Sequence, residues 1–108
     1  MTKQARVAEI SKSVVGYSLY SFDNSFVELD YIASDPHFRN LGVGKTLLLD
    51  VAENSVKKRA RKMHICLPYQ TPEAIERAAC FYLGCGFHFI PGSKIEMEHQ
   101  NLKQLLIN

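Results

Sequence analysis

The apolar residues of this chain first change their period between residues 34 and 43. Before the change, two runs rich in β-branched and aromatic residues, Arg6–Ile10 and Val14–Phe22, flank the polar loop Ser11-Lys12-Ser13. Asp23-Asn24-Ser25 then turns into a third run, Phe26–Ala33. Such residues favour strands, and loops this short join antiparallel neighbours, so the first third predicts a hairpin meander. After Ser34-Asp35-Pro36, apolar residues recur at Val43, Leu47, Leu48, Val51, Ala52 and Val56, the spacing of one helix face. This helix is expected to start between Asn40 and Gly42 and to end in the run Lys57–Lys62, whose cations complement the negative end of the helix dipole. Met63–Leu67 is a short apolar strand, so strand, helix and strand make a right-handed βαβ unit.

Pro68-Tyr69-Gln70 reads as a loop. Thr71 caps a second helix, with Pro72 in its first position and Glu73 in its first turn. Ala74, Ile75, Ala78, Ala79, Phe81 and Tyr82 form its apolar side, and Gly84 or Gly86 ends it. Phe87–Ile90, the turn Pro91-Gly92-Ser93 and Ile95–Glu98 predict a terminal hairpin, and Asn101–Asn108 a short helix. The expected class is therefore α/β, with a mixed sheet. Its 108 residues supply one core and one domain, residues 1–108.

Composition excludes more than it selects. With 46% hydrophobic and 22% charged residues the chain has the balance of a folded domain. A net charge of +2 is too small to make nucleic acid the expected partner. No apolar run approaches the ~18 residues of a membrane span, and no signal-peptide core opens the chain. Three cysteines, few and odd in number, argue against a disulfide framework and suit a reducing, cytoplasmic compartment. The histidines lack the paired spacing of a zinc site, so no metal is expected.

The most informative stretch is Arg39-Asn40-Leu41-Gly42-Val43-Gly44-Lys45-Thr46, where a strand hands over to a helix. Glycines there let a backbone approach a ligand closely, and the free N–H groups of a first helical turn point at an anion. The plainer alternative is a tight bend into the helix. Gly44-Lys45-Thr46 looks like the end of a Walker A loop, but that pattern requires glycine at the position of Arg39.

Arg39–Gly44 instead resembles the R/Q-x-x-G-x-G/A signature of the Gcn5-related N-acetyltransferases, preceded by strand, Asp-Pro and a large apolar residue, and followed by Leu-Leu. Ala78, Phe81-Tyr82 and Gly86-Phe87 match the same family's A-x-x-(F/Y)-Y-x-x-x-G-F segment, and the resemblance covers Arg6 to Glu98. It implies an acyl-CoA N-acyltransferase fold that opens at the family's second strand, without the first strand and two helices that wall the acceptor site. It also implies acetyl-CoA as cosubstrate and an amine of a small molecule, peptide or protein as acceptor. The backbone of Ile32, Ala33 and Ser34 would meet the pantetheine arm, and the amides from Asn40 to Thr46 the pyrophosphate. Tyr82 stands at the family's general-acid tyrosine. Glu28, eleven residues before Arg39, stands where histone-type members carry their base.

Glu28 and Asp30, two apart, are expected on one strand face, with Val27, Leu29 and Tyr31 on the other. A solvated strand face is the alternative for the carboxylates, and a core position for Tyr82. The basic run Lys57–Lys62 either reaches the 3′-phosphate or is a solvated helix end. Ile75 replaces an asparagine that contacts pantetheine in relatives. The missing wall leaves two functional readings: an N-acetyltransferase, or a non-catalytic acyl-CoA-binding module working through a partner subunit. An unpaired first strand also predicts self-association as a homodimer.

Overall fold

A computed structural model describes residues 3–23, 25–39, 41–66, 71–90 and 94–107. The expected loop Pro68-Tyr69-Gln70, the turn Pro91-Gly92-Ser93 and Asn40 of the glycine turn lie outside the described residues. Strands β1 (Lys3–Ile10), β2 (Ser13–Asp23) and β3 (Phe26–Ser34) form the meander. Their first hairpin closes on Ser11 and Lys12, both at positive φ (50° and 69°), the left-handed geometry whose twist matches that of the strands.

Helix α1 (Val43–Lys57) leads to β4 (Lys62–Cys66), which lies parallel to β3. Helix α2 (Pro72–Gly84) starts as the sequence requires, with the Thr71 hydroxyl accepting from the Ala74 amide at 3.2 Å. Its end is a Schellman closure on Gly86 at φ 100°: the Gly86 amide donates to the Leu83 carbonyl and the Phe87 amide to the Tyr82 carbonyl. Strands β5 (His88–Ile90) and β6 (Lys94–Glu98) form the terminal hairpin, and α3 (His99–Ile107) follows. The six-stranded mixed sheet runs β1-β2-β3-β4-β6-β5, so the last strand, and not β5, lies against β4.

One core forms on one face of this sheet. Tyr20, Val27, Leu29, Met63, Ile65, Ile95 and Met97 point into it from the strands. They meet Leu48, Val51 and Ala52 of α1, Tyr82 of α2 and Leu102 of α3. All three helices thus share a face, and among the described residues no helix covers the other. A second small cluster, Val15, Val43 and Leu47, sits under the start of α1.

The expected alternation in β3 needs correction. Leu19 pairs with Tyr31 but Tyr20 with Leu29, so Asp30 is an extra residue in the ladder, a β-bulge. A bulge shifts the phase of a strand by one. Val27 and Leu29 face the core before it, whereas after it Ile32 packs inward and Tyr31 is turned out, 46% exposed. The Asp30 carboxylate is engaged by the Lys3 ammonium of β1.

Gly16 of β2 carries a constraint the sequence does not announce. A Cβ there would stand 2.8 Å from both the Ala33 carbonyl oxygen and the Val43 side chain, distances that force backbone to move. Gly16→Ala is therefore expected to destabilise the fold by about 1–3 kcal/mol, the usual range for overpacking. Urea titration checks this, and an unchanged midpoint would show that β2 and α1 separate freely at that point.

Candidate functional site

The site is built at the carboxyl ends of β3 and β4. The two strands pair only from Phe26–Lys62 to Leu29–Ile65. Among the described residues no rung joins β3 to β4 beyond that one, although β3 runs on to Ser34, so the described pairing parts at the Asp30 bulge. A parallel strand pair that parts leaves backbone N–H and C=O groups of β3 open to a ligand.

The turn after β3 is held locally. The Asp35 carboxylate accepts from the His37 amide at 2.9 Å and lies 3.0 Å from His37 Nδ1, which together hold it below the usual carboxylate range. The Asp35 amide in turn donates to the Val15 carbonyl at 2.7 Å, tying the turn to β2. Gly42 caps α1 at φ 78°, a left-handed geometry that glycine adopts at no steric cost. The first intrahelical bond runs from the Thr46 amide to the Gly42 carbonyl at 2.9 Å. The unused amides at the helix start are therefore those of Val43, Gly44 and Lys45, and the expectation that the Thr46 amide also faces the phosphates is corrected: the helix consumes it.

These elements enclose a cleft of about 690 Å³. Ile32, Ala33 and Ser34 form one wall, and Arg39, Gly42, Val43, Gly44 and Lys45 the second. The third comes from α2: Ala74, Arg77, Ala78, Phe81 and Tyr82. Leu41 and Thr46 do not line the cleft, and Glu28 lies outside it, on the other face of the sheet. Gly44 faces inward. A Cβ there would meet Phe81 at 3.7 Å and Ile32 at 4.0 Å, an ordinary contact that would narrow the floor. Among the described residues Arg39, Lys45 and Arg77 have no carboxylate partner, so three cations stand beside the three unused amides. Such a grouping of amides and cations can attract an anion, and it faces an apolar channel.

Tyr82 is 6% exposed, and its ring meets Phe81 and Phe87 edge-on at 5.1 and 5.7 Å. Burial, with a smaller contribution from Cys85, pushes its hydroxyl up to about 12. It therefore keeps its proton at any pH near neutrality and can donate it. Glu28 is half-buried on the helix-free face, beside Ser21 of β2 and His64 of β4. Ile75 is half-buried on α2 and does not line the cleft.

Arg77 was missed by sequence reasoning. Its signal was present: residues 74, 77, 78 and 81 form an i, i+3, i+4, i+7 stripe, and Arg77 is the charged member of it. The basic run Lys57–Lys62 lies at the opposite end of α1, about 20 Å from its start at 1.5 Å per residue, and does not reach the cleft. Its side chains are engaged elsewhere: Lys57 with Glu53, Lys58 over the Phe22 ring, and Lys62 with Glu96. Among the described residues no group of side chains could hold a metal ion, and no helix is long and apolar enough to cross a membrane.

A family model described as an acetyltransferase (GNAT) domain matches residues 3–89. No curated protein matches the chain. Among solved structures, the PaiA N-acetyltransferase of Thermoplasma acidophilum in complex with coenzyme A superposes with a TM-score of 0.76 at 21% identity. That match covers 89% of this chain and 60% of the other. A GNAT-family acetyltransferase of Staphylococcus aureus gives 0.73 at 22% identity, over 90% of this chain and 68% of the other. Tetrahymena Gcn5 gives 0.71 at 15% identity, over 89% and 68%. The chain thus spans 60–68% of the length of these three proteins.

Proposed function

Because the chain belongs to the GNAT acetyltransferase family, we propose that it transfers the acetyl group of acetyl-CoA to an amine. The observation that carries this reading is a single cleft with an anion site at one end and a buried proton donor at the other. Pyrophosphate fits the amides of Val43, Gly44 and Lys45, with Arg39, Lys45 and Arg77 supplying opposite charge. Asn40, outside the described residues, belongs to the same turn. The pantetheine arm, an extended chain with two amides, fits the edge of Ile32, Ala33 and Ser34 that faces away from β2, where no described residue pairs with them, as an added strand would.

This arrangement directs the thioester toward Tyr82. Transfer requires a neutral amine, a C–N bond to the carbonyl carbon and a proton for the sulfur that leaves. A hydroxyl at about 12 is a weak acid, so Tyr82 delivers its proton as the C–S bond breaks and not before. The amine then approaches through the split between β3 and β4 from the helix-free face, where Glu28 serves as its base or its anchor. The neighbours carry support of a coarser kind: one was solved with coenzyme A, and two are acetyltransferases by name.

Incubation with acetyl-CoA and a mixed panel of amines, peptides and basic proteins, read by mass spectrometry, tests the proposal. A mass gain of one acetyl group on an acceptor is expected. Binding of acetyl-CoA with no acetylated product at all would instead favour the non-catalytic module acting through a partner subunit.

The free edge of β1 also supports self-association. Its outer backbone groups have no ladder partner among the described residues, and Val7 and Ile10 are exposed on it. Sedimentation at high micromolar concentration is expected to show a dimer, and a monomer with and without ligand would exclude it.

A further inference from the structure

One polar residue from each of the six strands falls in a single row across the helix-free face. Lys3 pairs with Ser21, Ser21 with Glu28, Glu28 with His64, His64 with Glu96, and Glu96 with His88. Residues opposite one another in a ladder share a face, so the row is contiguous. Its centre, Glu28 beside His64, is the next-to-last rung before the sheet splits. The first residues of the split, Asp30 and Tyr31, follow Glu28 by two and three positions, about 7–10 Å along the strand.

His64 is held from two sides. Its ring stacks on Phe26, centroids 5.3 Å apart and planes within 17°. Its Nε2 lies 3.1 Å from Glu96 Oε2. Glu96 is only 7% exposed, and it also receives Lys62 at 3.5 Å and His88 at 3.3 Å. Covering by neighbours pushes its carboxyl up, but Lys62, His88 and His64 outweigh that and leave it lowered, an anion at neutral pH. A carboxylate fixed on Nε2 keeps that nitrogen protonated and leaves the lone pair on Nδ1. This is the arrangement of a base oriented by an acid partner.

Resting on the acetyltransferase reading above, we propose that His64 is the catalytic base for the acceptor amine, that Glu28 anchors the ammonium, and that Glu96 is the positioning residue for the imidazole. Among the described residues, the charged groups beside His64 on this face are Glu28 and Asp30 of β3, Lys62 of β4, and Glu96 and Glu98 of β6, with Lys3 of β1 and His88 of β5 farther along the row. The helices present none, since they pack on the other face. An ammonium held by Glu28 gives one proton to His64 Nδ1. The neutral amine attacks the thioester carbon and forms the C–N bond. As the C–S bond breaks, the sulfur takes the proton of Tyr82, and the second amine proton returns to the Tyr82 oxygen. The products are an N-acetyl amine, free coenzyme A and one proton on His64, released to water.

The test uses n-propylamine as acceptor with saturating acetyl-CoA, so that only amine activation is measured. His64→Gln is expected to lower kcat about 10²-fold at pH 7. Raising the pH, which deprotonates the amine without a base, should partly rescue the variant and raise its rate more than the wild-type rate. Affinity for coenzyme A should remain within twofold. Added imidazole should restore part of the rate to His64→Gly, which a merely structural role would not allow. Glu28→Gln should act chiefly by raising KM for the amine. Unfolding midpoints separate a lost fold from a lost base. A wild-type pH profile in His64→Gln, with propylamine still acetylated, overturns the role of His64 alone. A wild-type protein that binds acetyl-CoA and acetylates no amine overturns the underlying reading and this assignment with it.

Discussion

Tyr82→Phe is expected to lower turnover by about 10²–10⁴-fold, the range over which general acid catalysis contributes, while coenzyme A affinity stays nearly intact. Phe keeps the ring and its edge-on contacts with Phe81 and Phe87, so the loss cannot be assigned to an emptied core. The sign of the pH dependence follows from burial. A hydroxyl pushed up to about 12 stays protonated until the solution approaches that value. The wild-type rate should therefore show no alkaline fall attributable to this group below about pH 11. Steady-state kinetics across pH, with calorimetry for coenzyme A, checks both parts. Wild-type turnover in Tyr82→Phe would leave positioning of the thioester as the whole of the catalysis.

Gly44→Asp should weaken coenzyme A binding by about 10²–10³-fold. Its side chain would start between Phe81 and Ile32 and carry a negative charge into the mouth of the three free amides. Two like charges ~4 Å apart at an effective dielectric of ~20 repel by about 4 kcal/mol, and each ~1.4 kcal/mol is tenfold in affinity. Gly42→Asp adds backbone strain at φ 78° to the same repulsion. Gly44→Ala separates charge from bulk, since its methyl would meet Phe81 at an ordinary 3.7 Å, and it should retain most of the affinity. Undiminished binding in both aspartate variants, measured by calorimetry, would move the phosphates away from this turn.

Local chemistry was readable wherever one residue type has one physical use. Thr71-Pro72 could only begin a helix well, and Gly86 supplies the left-handed closure that ends it. The period change after Ser34 placed α1, and the glycines placed its start. What stayed illegible depends on partners distant in sequence. Nothing in Leu29-Asp30-Tyr31 marks Asp30 as a bulge; only pairing with Leu19 and Tyr20 does, and it turns Tyr31 outward. The basic run at residues 57–62 reads as one feature, yet the fold divides it between a helix end, a connection and β4. Arg77 reads as a solvent residue until the floor of the cleft is seen beneath it. The row from Lys3 to His88 is assembled by five separate registers and leaves no trace in any one segment.

The position of β6 between β4 and β5 bears on how the protein is made. Every described residue lining the cleft lies between Ile32 and Tyr82, and is delivered by the ribosome before the strand that completes the sheet. Until residues 94–98 emerge, one edge of β4 is bare, and Met63 and Ile65 lack their partners Met97 and Ile95. Nascent or C-terminally nicked chains would present that apolar edge to one another, the kind of surface that chaperones exist to shield. The glycine turn can thus be in place while the molecule is still at its most prone to aggregate.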